Sequence, residues 1–250
     1  MPALADFRNV VSILLGEYED HLKVNRRPRD TMIFRTFVSS VVTQARRGVE
    51  TTLQNIEKDN NFKGWSPIAF ATPEGEKLLK KYVGHKSKIN KILEQSKRMA
   101  DQGLKEWIED LRNDKISIGQ KTKDDFLKEI GLLEYFPIDR YYPPFLARTG
   151  FLYKYLDEKK LDPGPFMRGL GDGDCYNAYK GMMIDLCKRE LKGLKHNGLD
   201  LSDNPGIVDM IIWRHCAAED SEAFEICGKS PRCSECKIKA LCNYGANYST

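Results

Sequence analysis

The chain has 250 residues, of which 41% are hydrophobic, and a formal net charge of +4. It is long enough to bury the core of one large domain or two small ones, and no stretch approaches the roughly 18 apolar residues that a membrane span needs. The first residues carry neither a basic leader nor a cleavage signal, so we expect an intracellular protein with no membrane partner. The small positive charge permits binding to nucleic acid without indicating it.

Helical periodicity dominates the chain from its start. Apolar residues recur at helical spacing over 7–15, a basic linker follows at 24–30, and the mostly apolar run at 31–47 is typical of a buried helix. Further helices are predicted at 49–58, 74–83, 86–101, 103–112, 121–131, 145–158, 174–191 and 204–220. Strand-like alternation is almost absent, and 159–174 has the composition of a loop. The predicted fold class is therefore all-α.

Four of the seven cysteines fall within sixteen residues near the end of the sequence. They are Cys227, Cys233, Cys236 and Cys242. An odd total with a local cluster predicts reduced thiols that bind metal rather than a set of disulfides. Four cysteines can ligate zinc or an iron–sulfur cluster, and the spacing alone does not decide between them. We interpret the other three, Cys175, Cys187 and Cys216, as buried thiols.

The segment PRCSECKIKALC, 231–242, resembles the C-terminal iron–sulfur loop of the endonuclease III family of DNA glycosylases, members of the helix–hairpin–helix superfamily. The resemblance implies that the four cysteines hold a [4Fe-4S] cluster, with zinc as the alternative. The first cysteine spacing, five residues, is one shorter than is usual in that family. Interleaved cations in this loop suit a surface that follows DNA phosphates, or simply a solvated loop. They are Lys229, Arg232, Lys237 and Lys239.

A second part of the resemblance is the sequence SIGQKT, 117–122, which lies between two predicted helices. It resembles the hairpin turn of the family, except that Ser117 stands where the family usually has glycine. The backbone N–H groups at the start of the following helix suit a DNA phosphate. The resemblance therefore implies DNA-binding roles for Ile118, Gly119 and Gln120. The plain alternative is a glycine turn that only connects two helices.

Lys121 and Asp139 are the candidate catalytic pair. Their separation of eighteen residues is similar to that of the lysine and aspartate in bifunctional endonuclease III-like enzymes. By that resemblance Lys121 attacks C1′ of the target nucleotide, expels the base and forms a Schiff base. Asp139 takes a proton and stabilises the positive charge that develops on the sugar. The plain alternatives are a solvated lysine and an aspartate that caps a helix.

Other residues match positions that contact DNA in the family. The sequence FVSSVVTQARR resembles the helix that ends in a glutamine at the DNA face, which makes Gln44 a candidate to fill the space of an extruded base. The sequence GHKSKINKI resembles a Ser-Lys segment of the family, so Ser87 and Lys88 are candidates for phosphate contacts. Each of the three is otherwise an exposed helix residue.

Tyr141 and Tyr142 follow the candidate aspartate at positions where the family has other residues. Their aromatic rings are candidates to line the substrate pocket, or they simply pack. We interpret His215, in the helix that leads to the cysteines, as a packing histidine rather than a ligand.

The resemblance covers about 31–150 and 204–242 and implies two helical lobes with a DNA-binding cleft between them. One is a helical barrel lobe with the helix–hairpin–helix at 31–138, and the other is an iron–sulfur lobe formed by 1–30 and 139–250.

The implied function is that of a monomeric base-excision-repair DNA glycosylase with abasic-site lyase (β-elimination) activity. Its partner is double-stranded DNA with a damaged or mispaired base, which such enzymes flip out of the helix. Two alternatives stay open. One is a monofunctional mismatch or alkyl-base glycosylase in which Lys121 is not the nucleophile, and the other is a non-catalytic DNA-binding protein of the same fold.

Overall fold

The computed structural model of the protein describes residues 6–22, 29–43, 48–217 and 223–247. These residues fall into two compact units. The central unit comprises 29–43 and 48–131, and the terminal unit comprises 6–22, 132–217 and 223–247. The predicted lobe at 31–138 extends further than the central unit because Leu133, Phe136 and Ile138 are buried in the core of the terminal unit.

The prediction of an all-α fold is confirmed. The described ranges contain thirteen α-helices and a single pair of two-residue strands. Within those ranges, every helix is too short or too polar to cross a membrane.

Seven helices build the central unit. They are α2 (Asp30–Thr43), α3 (Val49–Glu57), α4 (Pro67–Phe70), α5 (Pro73–Tyr82), α6 (Lys86–Gln102), α7 (Leu104–Arg112) and α8 (Gln120–Glu129). An aromatic core joins three of them: the ring centroid of Phe37 lies 5.2 Å from Trp107 and 5.9 Å from Phe126. The buried indole N–H of Trp107 donates to Gln95 Oε1 on α6 at 2.9 Å, so the one polar atom of this ring has a partner.

The terminal unit combines the start of the chain with its second half. Its helices are α1 (Phe7–Tyr18), α9 (Tyr142–Thr149), α10 (Phe151–Lys159), α11 (Gly173–Glu190), α12 (Pro205–Cys216) and α13 (Asn243–Ala246). Short 3-10 helices lie at Glu19–His21, Gly164–Met167 and Lys239–Leu241. One apolar cluster, to which α1, α9, α11 and α12 all contribute, forms the core of this unit.

The helix predicted at 145–158 is two helices, α9 and α10, and the break has a physical cause. Gly150 between them has φ +88°, and a Cβ at this position would lie 2.3 Å from Asn243 Nδ2. This left-handed backbone angle strongly favours glycine, and the Asn243 side chain of α13 packs closely against the same point. The start of α9 also lies earlier than predicted, because its two prolines occupy the first turn, where no intrahelical N–H bond is lost.

A short hairpin that periodicity did not predict lies after α11. Strands β1 (Lys195–His196) and β2 (Leu199–Asp200) pair antiparallel. Asn197 and Gly198 between them both have positive φ, 48° and 79°. This turn chemistry is typical of a two-residue hairpin.

Candidate functional site

The predicted hairpin corresponds to the turn between α7 and α8, and a side chain of α6 holds this turn in place. The side chain of Ile118 is 1% exposed, and its carbonyl accepts a 2.7 Å hydrogen bond from Lys91 Nζ on α6. Gly119 has φ 86° and ψ 137° and directly precedes α8, which has no side-chain cap. That backbone conformation is almost restricted to glycine, so the sequence and the geometry of the turn agree at this residue.

Lys121 is the second residue of α8 and is half-buried, while Gln120 before it is exposed. Lys123, one residue beyond Thr122, donates to Asp114 at 2.5 Å and thereby ties α8 to the turn. The candidate nucleophile therefore lies in the first turn of a helix whose start is anchored on both sides, by Lys91 and by Lys123.

The other candidate DNA contacts of the central unit are distributed over α2 and α6. Ser87 is exposed in the first turn of α6. Lys88 Nζ donates to the carbonyl of Val42 at 2.7 Å, so this amine joins α6 to the last turn of α2. Gln44 lies outside the described residues.

Asp139 belongs to the terminal unit and precedes α9. It is half-buried, and its carboxylate accepts a 2.5 Å hydrogen bond from the backbone N–H of Arg140. The residue before α9 is Tyr141, whose side chain does not cap that helix, and the carbonyl of Asp139 accepts a 3.0 Å hydrogen bond from the N–H of Tyr142. Lys121 lies in the other unit.

The two tyrosines after Asp139 differ in their surroundings. Tyr141 is half-buried, and its hydroxyl accepts a 3.1 Å hydrogen bond from Arg140. Tyr142 is 0% exposed and donates to the carboxylate of Asp209 on α12. Burial, and then Asp209, raise the pKa of Tyr142 well above its usual value. We therefore place Tyr142 in the core and keep only Tyr141 as a candidate pocket residue.

All four predicted metal-binding cysteines line one cavity of the terminal unit. Its wall consists of Cys227, Cys233, Cys236 and Cys242 together with residues of α9, α12 and α13. No disulfide joins any of the seven cysteines. The remaining three, Cys175, Cys187 and Cys216, are each 0% exposed, which confirms the prediction that they are buried thiols.

The cavity has a volume of about 10 Å³, roughly the space of one water molecule. Atoms that surround a water-sized sphere lie about 3 Å or more from its centre, whereas zinc binds cysteine sulfur at about 2.3 Å. In agreement, no three His, Cys, Asp or Glu side chains of the described ranges are close enough to share one metal ion. The four thiols thus face a common space but stand wider apart than a single ion requires.

Arg148, near the end of α9, holds the first cysteine of the loop. One of its terminal nitrogens donates to the carbonyls of Cys227 and Gly228 at 3.0 and 2.8 Å and lies 3.6 Å from Cys227 Sγ. A hydrogen bond from the buried thiol of Cys216, and then Arg148, lower the pKa of Cys227 to about 7. Burial raises the pKa of Cys236 to about 11. Cys227 is therefore the thiol most easily deprotonated for a metal.

His215, near the end of α12, also borders the cysteine loop and is 1% exposed. Its Nδ1 is 2.9 Å from the hydroxyl of Tyr18 on α1, and its Nε2 is 3.7 Å from Cys236 Sγ. Burial lowers the pKa of His215 to about 4, so the ring is neutral at neutral pH. Both ring nitrogens have partners, which confirms that it is a satisfied buried histidine and adds that it lines the cysteine cavity.

Sequence reasoning missed three residues of these sites: Arg148, Tyr18 and Asp209. For Arg148 a signal existed, because the sequence FLARTG after Asp139 fits the endonuclease III-like pattern. Tyr18 and Asp209 carry no local signal, since their partners lie 197 and 67 residues away along the chain.

Compared with protein-family models, curated proteins and solved structures, the chain has no significant match in any of the three.

Proposed function

We propose that the protein is a base-excision-repair DNA glycosylase with abasic-site lyase activity. The observation that carries the proposal is the cysteine cavity: four thiols that the sequence relates to a cluster loop do face one space. The first turn of α8 adds support, because a lysine follows a glycine turn of the expected kind there. The proposal requires the amine of Lys121 and the carboxylate of Asp139 to reach the same sugar carbon.

The lysine would act as the nucleophile. Its nitrogen bonds to C1′ as the bond from C1′ to the base breaks, and the base leaves with the electron pair and gains a proton. Loss of a proton from nitrogen and opening of the sugar ring then give the Schiff base. Removal of a proton from C2′ expels the 3′ phosphate and cleaves the strand. Asp139 would exchange protons in these steps and stabilise the positive charge on the sugar.

The hairpin turn would grip the DNA backbone. Gly119 brings the main chain to the surface at the N-terminus of α8, where the positive end of the helix dipole favours a phosphate. Exposed Ser87, at the start of α6, would add a second contact to the same strand. The target nucleotide must leave the base stack for C1′ to be reached, and Gln44 is the candidate to fill the space that it leaves.

The four cysteines of the cavity would hold a [4Fe-4S] cluster. The chemistry of the donor set fits, since cysteine thiolates are the usual ligands of such a cluster. They also ligate zinc, and the loop would have to open around its water-sized cavity to admit the cluster. The cluster would be structural: it would fix the basic loop that carries Lys229, Lys237 and Lys239 toward DNA phosphates.

Borohydride trapping tests the assignment of the nucleophile. Reduction of the Schiff base converts it into a stable covalent adduct between protein and DNA. We expect the wild-type chain to form this adduct with a duplex that contains an abasic site, and Lys121→Gln to form none. The matched control is Lys115→Gln, which removes a surface lysine near the same turn whose only described ion pair, with Asp110, is exposed. It should trap as the wild type does.

The outcomes separate the proposal from its alternatives. An adduct that persists in Lys121→Gln rules out this lysine as the nucleophile. Release of a base without an adduct identifies a monofunctional glycosylase, and Asp139→Asn should then abolish the release. DNA binding without base release or trapping, over a panel of duplexes that each carry one lesion, identifies a non-catalytic binding protein. The same panel names the base that is removed.

A further inference from the structure

A buried hydrogen-bonded pair, Tyr18 and His215, connects the first helix of the chain to the cysteine loop. The two side chains are 2% and 1% exposed, and the Tyr18 hydroxyl lies 2.9 Å from His215 Nδ1. The other ring nitrogen of His215 points at Cys236 Sγ across 3.7 Å. Phe145 on α9 meets the imidazole ring edge-on at 6.2 Å between centroids, and the ring of Tyr18 in turn stacks on Phe224 at 5.0 Å.

The geometry restricts the proton positions on this imidazole. A neutral ring has one donor nitrogen and one acceptor nitrogen. If Nδ1 carries the proton, the lone pair of Nε2 faces the sulfur, and this arrangement is acceptable only while Cys236 is a thiol that donates. A thiolate bound to metal has no proton to give. With Cys236 ligated, the Tyr18 hydroxyl must therefore donate to Nδ1, and the Nε2–H must donate to the sulfur.

We infer that His215 is a positioning residue for the metal-binding form of the cysteine loop, with its Nε2–H donated to the ligated sulfur of Cys236 and its tautomer fixed by Tyr18. This inference rests on the proposed cysteine-bound metal group and concerns the residues that support it. Partners of this kind orient a ligand and stabilise its charged form. They also make retention of the group depend on a tyrosine that lies 197 residues from its histidine along the chain.

Three substitutions test the pair, and a fourth serves as the matched control. Tyr18→Phe keeps the ring and removes the proton that fixes the tautomer, and His215→Phe removes the donor to sulfur. His215→Gln keeps an N–H donor on a side chain of similar reach and should rescue part of the effect. Tyr179→Phe is the control, because Tyr179 is also a buried tyrosine of this unit, and its hydroxyl donates to the carbonyl of Phe166 at 3.1 Å, outside the lining of the cysteine cavity.

The readout is retention of the metal group rather than enzyme activity. Iron, sulfide and zinc are first measured in the purified wild-type chain, and loss of visible absorbance, or of zinc, is then followed in the presence of a chelator. We expect Tyr18→Phe and His215→Phe to lose the group about tenfold faster than the wild type, with a shifted visible spectrum if the group is iron–sulfur. Tyr179→Phe should lose it at the wild-type rate even where its stability toward urea falls.

A merely structural role would lower stability equally in Tyr18→Phe and Tyr179→Phe and leave retention unchanged in both, and this result would overturn the inference. A wild-type chain that purifies without any metal would overturn the cofactor assignment and the inference together. A chain that retains metal but traps no DNA adduct would remove the proposed lyase activity and leave the inference intact, so the two failures are distinguishable.

Discussion

Tyr142→Phe gives the sharpest test of the terminal unit, because it removes a single oxygen atom from the core. Tyr142 is 0% exposed and Asp209 is 3% exposed, and the hydroxyl donates directly to the Asp209 carboxylate. The ring of Tyr142 packs edge-on to Phe136 at 5.2 Å between centroids. Phenylalanine preserves this ring contact, so the substitution isolates the hydrogen bond between α9 and α12.

The magnitude follows from burial and charge. Removal of one partner of a buried hydrogen bond costs about 1–3 kcal/mol, and water does not replace the lost partner here because both groups are buried. Burial raises the pKa of Tyr142 well above its usual value, so the hydroxyl keeps its proton, and remains a donor, throughout the neutral range. We expect Tyr142→Phe to lower the free energy of unfolding of the terminal unit by about 2–3 kcal/mol.

Urea unfolding, followed by tryptophan fluorescence and by circular dichroism, measures this loss. Trp213 is the tryptophan of the terminal unit, so two probes are needed to recognise separate transitions of the two units. The matched control is Tyr141→Phe, whose half-exposed hydroxyl bonds only to a neighbouring arginine among its described contacts. It should change stability by less than about 0.5 kcal/mol. Equal effects of the two substitutions would refute the placement of Tyr142 in the core, and so would a Tyr142→Phe variant that is fully stable but inactive on DNA.

Two further predictions concern the central unit. Gly119→Ala places a Cβ on a backbone with φ 86°, which should cost about 1–3 kcal/mol of stability. It should also weaken DNA binding, measured by fluorescence anisotropy at fixed salt. The control Gly181→Ala, inside α11 with open space around it, should have neither effect. Asp59 accepts hydrogen bonds from Lys81 and Tyr82, and its pKa is held well below the ordinary 3.8, mainly by Lys81. Because the unfolded chain binds this proton more readily, the stabilisation is present above pH 3.8 and is lost as pH falls below it. Asp59→Asn should therefore flatten the acid limb of a stability–pH curve, and an unchanged limb would contradict the ion pair.

Helical periodicity was enough to predict most of the helices, because each is amphipathic against its own unit and the pattern is local. The break at Gly150 was not predictable in this way. It depends on the left-handed backbone of Gly150, which ends α9 and precedes α10, and hydrophobic periodicity does not register such a residue. The hairpin at 195–200 was predictable from the sequence, since Asn-Gly is a strong local signal for such a turn, but helical periodicity does not detect it.

The residues of the candidate sites also fall into those with a local sequence signal and those that depend on long-range contacts. Sequence alone indicated the glycine turn before α8 and the cysteines of the terminal unit, because the residues of each motif lie close together in the chain. The different roles of Tyr141 and Tyr142 could not be predicted from the sequence. Two neighbouring tyrosines are equivalent there, and only the structure shows that Asp209, on another helix, accepts a hydrogen bond from Tyr142. Sequence can thus nominate residues that carry chemistry, whereas long-range packing decides which of them stay available for it.

Backbone hydrogen bonds hold the segment between the first two cysteines of the loop, Cys227 and Cys233, at both ends. The chain folds back within the loop: the N–H of Arg232 donates to the carbonyl of Ile226 at 2.8 Å, and the N–H of Cys227 donates to the carbonyl of His215 at 2.9 Å. The first bond closes the loop immediately before Cys233, and the second fixes Cys227 to the end of α12. The two bonds therefore hold the five-residue segment between Cys227 and Cys233 at both ends, and both thiols line the same cavity as Cys236 and Cys242.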